Sequence, residues 1–179
     1  MPRVALDLND GEDRAKVSAG WRVADGLVPG EPNEGLVSQM LASPALDADF
    51  DDSGWEECNN VRASRSVGFT FGWWRCTVQL PENIDGVSIA GSRVFFETNA
   101  DNYGEVWVDG EIDRATGVVV GINAQHRVEV SNSAVPGTKH VIACLVANGP
   151  LAKPEVASSC GSPLWLSSPL ANPVQATGL

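Results

Sequence analysis

The sharpest alternation of apolar and polar positions runs over residues 73–80. Successive side chains of a strand point to opposite faces, so Trp74, Cys76, Val78 and Leu80 share one side and Trp73, Arg75, Thr77 and Gln79 the other. The first set is expected in a core. The second is expected on an outer face, with Trp73 and Arg75 side by side in reach of a cation–π contact. Pro81 ends this strand, and residues 82–91 read as a loop. Residues 93–98 place Val94 and Phe96 on one face and Phe95 on the other, the pattern of a strand inside a sheet. Residues 99–104 are polar and small, which is loop chemistry. Residues 105–108 resume a strand, and Asp109-Gly110 predicts a tight hairpin turn, because both residues tolerate positive φ. Further strands are expected at 118–120, 127–131 and 140–147, with a polar loop over 121–126 and a turn at Pro136-Gly137. The last strand is nearly all apolar, as a central one would be.

Outside this region the pattern weakens. Residues 4–8 alternate briefly, Trp21-Arg22-Val23 predicts a short strand, 30–35 form a turn cluster, and 36–41 predict one helical turn ended by Ser43-Pro44. The chain therefore divides into an N-terminal extension, 1–45, wrapping a sandwich domain, 46–150, and a Pro-rich tail, 151–179. The tail carries Leu164-Trp165-Leu166, which either packs across its own sandwich or docks on a partner. Short strands at close spacing with few helical stretches predict an all-β fold, an antiparallel β-sandwich or jelly roll.

Composition agrees: 18 Gly and 11 Pro favour turns over long helices. The formal charge of −11 argues against nucleic acid and against an anionic membrane surface as partners. No leader pattern or long apolar span is present, which makes a cytoplasmic location the expectation. Cys58, Cys76, Cys144 and Cys160 form no Cys-x-x-Cys pair. Cys76 and Cys144 sit in apolar strands and are expected in the core, and Cys58 and Cys160 as exposed thiols.

No nucleophile elbow, zincin motif or P-loop occurs. The acidic run Asp47, Asp49, Asp51, Asp52 offers oxygens of the kind calcium takes, without EF-hand spacing, and reads first as a solvated loop. His140 opens an apolar strand and is expected to be structural; His126, between Gln125 and Arg127, is the better ligand candidate. Glu105 and Asp109 share a strand face, but four residues at about 3.4 Å each place them roughly 13–14 Å apart. Two-carboxylate glycoside hydrolysis needs about 5–9.5 Å, so this pair is excluded, while a cross-strand pair with Glu97 or Glu129 stays open. Sugar binding calls for aromatic surface with amides and carboxylates around it. The stretches Asn99, Asp101, Asn102, Tyr103 and Asn123, Gln125, His126, Arg127 have that composition and are the candidate ligand-binding residues, expected as loops at one end of the sandwich.

Several of these elements resemble a known domain. Asp52-x-x-Trp55, Trp73-Trp74-Arg75 opening a strand, Val106-Trp107-Val108-Asp109-Gly110 where the family often has Val-x-Val-Asn-Gly, and Pro136-Gly137 before the strand from His140 are similar to the galactose-binding-like jelly roll at the N-terminus of family 2 glycoside hydrolases. The likeness spans about residues 46–150. It implies a galactose-binding-domain-like fold that is itself non-catalytic and supports a separate catalytic barrel. Two departures stand out: the sequence holds no catalytic barrel, and the stretch after Gly117 lacks the family's usual Gly-Gly-aromatic loop. The expected function is a non-catalytic carbohydrate-binding or accessory module of a carbohydrate-active enzyme. The alternative is a structural subunit that docks on a larger enzyme, as a hetero- or homo-oligomer, through its terminal extensions.

Overall fold

The computed structural model describes residues 3–26, 43–61, 71–147 and 163–167, with the side chains of 101–102, 122–124 and 163–167 left aside. Two long strands dominate it. β7 (Arg93–Val108) and β8 (Val118–Ser131) pair antiparallel along nearly their whole length. The stretches 99–104 and 121–126, expected as loops, are instead the middle of this hairpin, with Asn99 opposite Gln125 and Asn102 opposite Gly121. Asn and Gly disfavour strands only weakly against the ladder hydrogen bonds on either side of them, and here the ladder wins. A register irregularity near Ala100/Asn102 marks the middle of the hairpin.

At that point β7 folds sharply. A Cβ on Gly104 would lie only 3.0 Å from the Cβ of Ala100, whereas residues four apart in a straight strand are about 13 Å apart. The missing side chain of Gly104 is what lets the two halves of the strand approach. Val108 at the end of β7 then lines the same cleft, about 520 Å³, as Val128 and Val130 of β8, which flank or pair with its beginning.

Each half of β7 therefore serves a different layer. The first half pairs β10 (Pro163–Ser167), which pairs β1 (Arg3–Asp7). The second half pairs β9 (Lys139–Ala147), which continues through β4 (Phe71–Gln79) and β2 (Gly20–Asp25) to β3 (Glu56–Cys58). All these pairings are antiparallel. Trp21 of β2 and Phe96 of β7 have ring centroids 6.2 Å apart, although two strands separate them in sheet order. Their contact crosses the core, and the sheet closes on itself as a β-sandwich. The residues before position 46 supply β1, β2 and α1 (Gly11–Lys16), whose N-terminus Asp10 caps by accepting from the N–H groups of Glu12 and Asp13. The Leu164-Trp165-Leu166 segment lies in β10, between β1 and β7 of its own sandwich.

Between the layers lie the expected side chains Trp74, Cys76, Val78 and Leu80, with Cys144 and Val146 of β9 and Val94 and Phe96 of β7. Cys58, expected to be exposed, is buried there too, opposite Trp21; Cys160 lies outside the described residues. Two Asp-Gly turns close hairpins. Asp109 and Gly110 have φ of 51° and 85°, which suits the primed turn favoured by strand twist. Asp85-Gly86 does the same between β5 (Asn83–Ile84) and β6 (Val87–Ser88), within the stretch expected to be a loop. The helical turn expected at 36–41 lies outside the described residues.

The other face of β4 is not open to solvent. A 3₁₀ turn, Pro44–Leu46, and the chain up to Trp55 lie across it. Trp73 and Arg75, expected on an outer face, are 0% and 2% exposed. Trp73 packs with Ala45, Leu46 and Leu145, flanked by Phe50, Trp55 and Trp107. Arg75 organises this strap. Its Nε donates to Asp52 Oδ2 at 2.9 Å, and its terminal nitrogens donate to the carbonyls of Ala45, Asp47 (3.0 Å) and Phe50 (3.4 Å). Its guanidinium also lies 5.3 Å from the centroid of the Phe50 ring, a cation–π contact. Thus one acid of the Asp47–Asp52 run, two carbonyls of the same run and the carbonyl of Ala45 just before it converge on a guanidinium.

Removing one partner of a buried ion pair leaves the other uncompensated, at a cost of about 3–5 kcal/mol. Arg75→Ala is expected to lose that much stability by urea unfolding, with tryptophan fluorescence reporting release of the strap; a loss below about 1 kcal/mol, the scale of an exposed pair, would contradict this role. Gly104→Val is expected to cost about 1–3 kcal/mol by overpacking the bend, read by the same measurement. An unchanged midpoint would contradict the close approach.

Candidate functional site

The long hairpin sorts the candidate residues by parity. On β7, Val94, Phe96, Thr98 and Ala100 face the core and are buried. Phe95, Glu97 and Asn99 therefore point outward. Register pairs Phe95 with Glu129, Glu97 with Arg127, and Asn99 with Gln125. Three of the eight candidates, Asn99, Gln125 and Arg127, thus meet on one outward face. His126 pairs with Thr98 and shares the inward row of Val128 and Val130, so it is turned away from that face. Tyr103 lies past the bend, opposite Val120, in the second layer. The side chains of Asp101, Asn102 and Asn123 lie outside the described residues. The single end-of-sandwich loop cluster expected for the eight is replaced by a strand face, because the residues meant to form loops are paired in a ladder.

The outward face holds groups that loop composition did not single out. Arg93 lies 4.7 Å and Arg127 5.7 Å from the centroid of Phe95. Arg127 donates to Glu97 Oε2 at 2.8 and 3.3 Å, and Arg93 donates to Glu129 Oε2. The signal was present in the alternation Arg93, Phe95, Glu97, Asn99, a polar row with one aromatic.

A second polar cluster stands on the outward side of the other half of β7. The Tyr103 hydroxyl donates to Glu105 Oε1 at 2.8 Å, and Arg114 donates to the same oxygen. Arg114 also lies 5.3 Å from the Trp107 ring centroid. Glu105 is 7% exposed, so its charge is held by this arginine rather than by water. Asp109 Oδ2 is 2.7 Å from His140 Nδ1, and Asp109 Oδ1 accepts from the N–H of Val141 at 2.8 Å. His140 has the structural partner expected of it.

The carboxylates weighed for general acid–base work thus share one feature. Glu97, Glu105 and Glu129 each bind an arginine and Asp109 a histidine. Among the described residues no group of three or more His, Cys, Asp or Glu side chains could hold a metal ion, and no helix is long and apolar enough to cross a membrane.

Burial, and then the bond to Glu105, push the ionisation of Tyr103 above the usual tyrosine value of about 10. Both favour the neutral phenol, so this group contributes stability that is present below about pH 10 and is lost as pH rises through the folded value. Tyr103 is the only tyrosine in the chain. Its ultraviolet difference titration is expected to give a midpoint above 10 that moves part of the way back in Glu105→Gln. A midpoint at or below 10 in the unsubstituted protein would contradict the buried bond.

No protein-family model matches the chain, and no curated protein matches it significantly. Solved structures do. The chain superposes on Bacteroides uniformis β-glucuronidase with a TM-score of 0.57 at 17% identity, covering 92% of this chain and 18% of that one. A family 2 glycosyl hydrolase from Bacteroides cellulosilyticus gives 0.56 at 14%, covering 93% and 20%. Faecalibacterium prausnitzii β-glucuronidase gives 0.55 at 13%, covering 92% and 31%. The chain thus spans between about a fifth and a third of these enzymes, and it has the fold of the N-terminal, sugar-binding-like domain of family 2 glycoside hydrolases.

Proposed function

We propose that this chain is a non-catalytic β-sandwich module of a carbohydrate-active enzyme system, contacting carbohydrate through the outward face of the β7–β8 hairpin at Asn99, Gln125 and Arg127. The observation that carries the non-catalytic reading is the pairing of Glu97, Glu105, Glu129 and Asp109 with basic side chains. A general acid needs a proton to give and must hold it toward the glycosidic oxygen; in each of these four carboxylates an oxygen is engaged by a basic side chain instead. The likeness to a domain of carbohydrate-active enzymes, at a fraction of their length, supports the association.

A second reading, a structural subunit docked on a larger enzyme, draws on the free edge of the hairpin. Among the described residues β8 pairs only β7, and Val120 on it is 62% exposed. An unpaired strand edge is a ready surface for another chain.

The purified protein is expected to hydrolyse none of a panel of aryl glycosides. It is expected to be retained on immobilised glycans, with Arg127→Ala and Asn99→Ala weakening retention about tenfold or more, the loss of one good polar contact. Turnover abolished by Glu97→Gln or Glu105→Gln would refute the non-catalytic reading. Failure to bind any glycan, with co-purification of a larger enzyme, would favour the subunit.

A further inference from the structure

The outward face of β7–β8 is long and its charged side chains are already paired, and these properties specify its ligand beyond carbohydrate in general. We infer that it binds an internal stretch of a neutral oligosaccharide chain lying along the strands, with Phe95 and its flanking guanidinium groups as the platform. This inference rests on the carbohydrate reading above and deepens it.

The length comes from the strand. From Arg93 to Asn99 is six residues, or about 20 Å along the sheet, several times the width of one pyranose ring. Polar groups repeat along this row on both strands, from the Arg93–Glu129 pair past Glu97–Arg127 to Asn99 opposite Gln125. The row runs on past the width of a single sugar, so successive rings are bound by successive cross-strand pairs.

The neutrality comes from charge bookkeeping. Arg93 and Arg127 are each neutralised by a glutamate across the strand pair, in a chain with a formal charge of −11. An anionic sugar would have to displace Glu97 or Glu129 and would meet a repulsive field. Hydroxyl groups need no such exchange. In both pairs the arginine donates to the Oε2 atom of the glutamate, and a carboxylate has a second oxygen able to accept. The amides of Asn99 and Gln125 supply donors as well as acceptors.

The platform is Phe95. Its ring is bracketed by Arg93 and Arg127, which fixes all three side chains before any ligand arrives. Fixing rotamers in advance reduces the ordering cost of binding. The carbon-bound hydrogens of a sugar ring then meet an apolar and guanidinium surface while its hydroxyls reach the flanking pairs.

The test is titration calorimetry of the full chain with cello-, malto-, xylo- and manno-oligosaccharides of one to six units. For at least one series, affinity is expected to rise steeply with length and level off near the length of the row. Phe95→Ala is expected to weaken the longest ligand about tenfold or more, while Phe95→Trp retains binding. Circular dichroism of the variants separates loss of the platform from loss of the fold. Binding of a monosaccharide as tightly as of a hexamer, or full binding by folded Phe95→Ala, overturns this inference and leaves the carbohydrate module standing. Binding of anionic oligosaccharides alone overturns the neutral assignment. No binding to any glycan overturns this inference and the carbohydrate contact together, and leaves the absence of catalysis to its own assay.

Discussion

One backbone constraint underlies the fold: β7 must turn back on itself at Ala100–Gly104 without losing its hydrogen-bonded partner. A strand that stops at a turn would leave unpaired amides on both sides of the break, and buried backbone groups of that kind are costly. Here β8 follows β7 around the corner, so most of the ladder survives the change of direction. The two halves can then serve two layers, and Trp21 can meet Phe96 across the core. The absence of a side chain at Gly104 is the local condition for this, because the inside of the bend has no volume to spare.

The same sandwich solves a charge problem in a consistent way. It carries 23 acidic and 12 basic residues, and five of the arginines are spent on holding glutamates and aspartates at sheet surfaces: Arg22, Arg75, Arg93, Arg114 and Arg127. Arg75 does most, since it is buried and gathers three carbonyls as well as Asp52. It converts an acidic stretch into a cover for Trp73, and in doing so gives the second layer an apolar interior on both of its faces. The Arg93–Glu129 pair is exposed and worth less to stability, while Glu97 is nearly buried beside Arg127; both pairs hold donors and acceptors in fixed places.

Much of the fold was legible from period alone. The inward row of β4, the central position of β9 and the Asp109-Gly110 turn follow directly from alternation and turn chemistry. Two kinds of feature were not. The first is tertiary cover: nothing in residues 73–80 says that residues 43–55 will lie over Trp73, so an alternating strand looked half-exposed when both faces are buried. The second is the ladder's tolerance of Asn and Gly. Read one residue at a time, 99–104 and 121–126 are loops; read as facing segments of a hairpin, they pair. That reading put the candidate site at an end loop, whereas the paired strands put it on a strand face. It set His126 among ligand residues when parity turns it inward, it passed over Phe95, and it weighed Glu97 only as a catalytic carboxylate, although their alternation with Arg93 and Asn99 was already visible. The short helix α1 was also within reach, through Asp10 and the acids that follow it.

The account stands or falls on β7 and β8 being one continuous bent hairpin, since the outward row exists only if residues 97–100 and 124–127 are paired strands. Amide hydrogen exchange followed residue by residue tests this directly, because ladder amides of one cooperative unit open together. The predicted result is protection at the hydrogen-bonded amides of residues 97–100 and 124–127 comparable with that of 103–108, where β7 pairs β9. Rapid exchange through 99–104 and 121–126, with protection only on either side, would show two loops at the end of a shorter sandwich and would contradict the site and the fold account together.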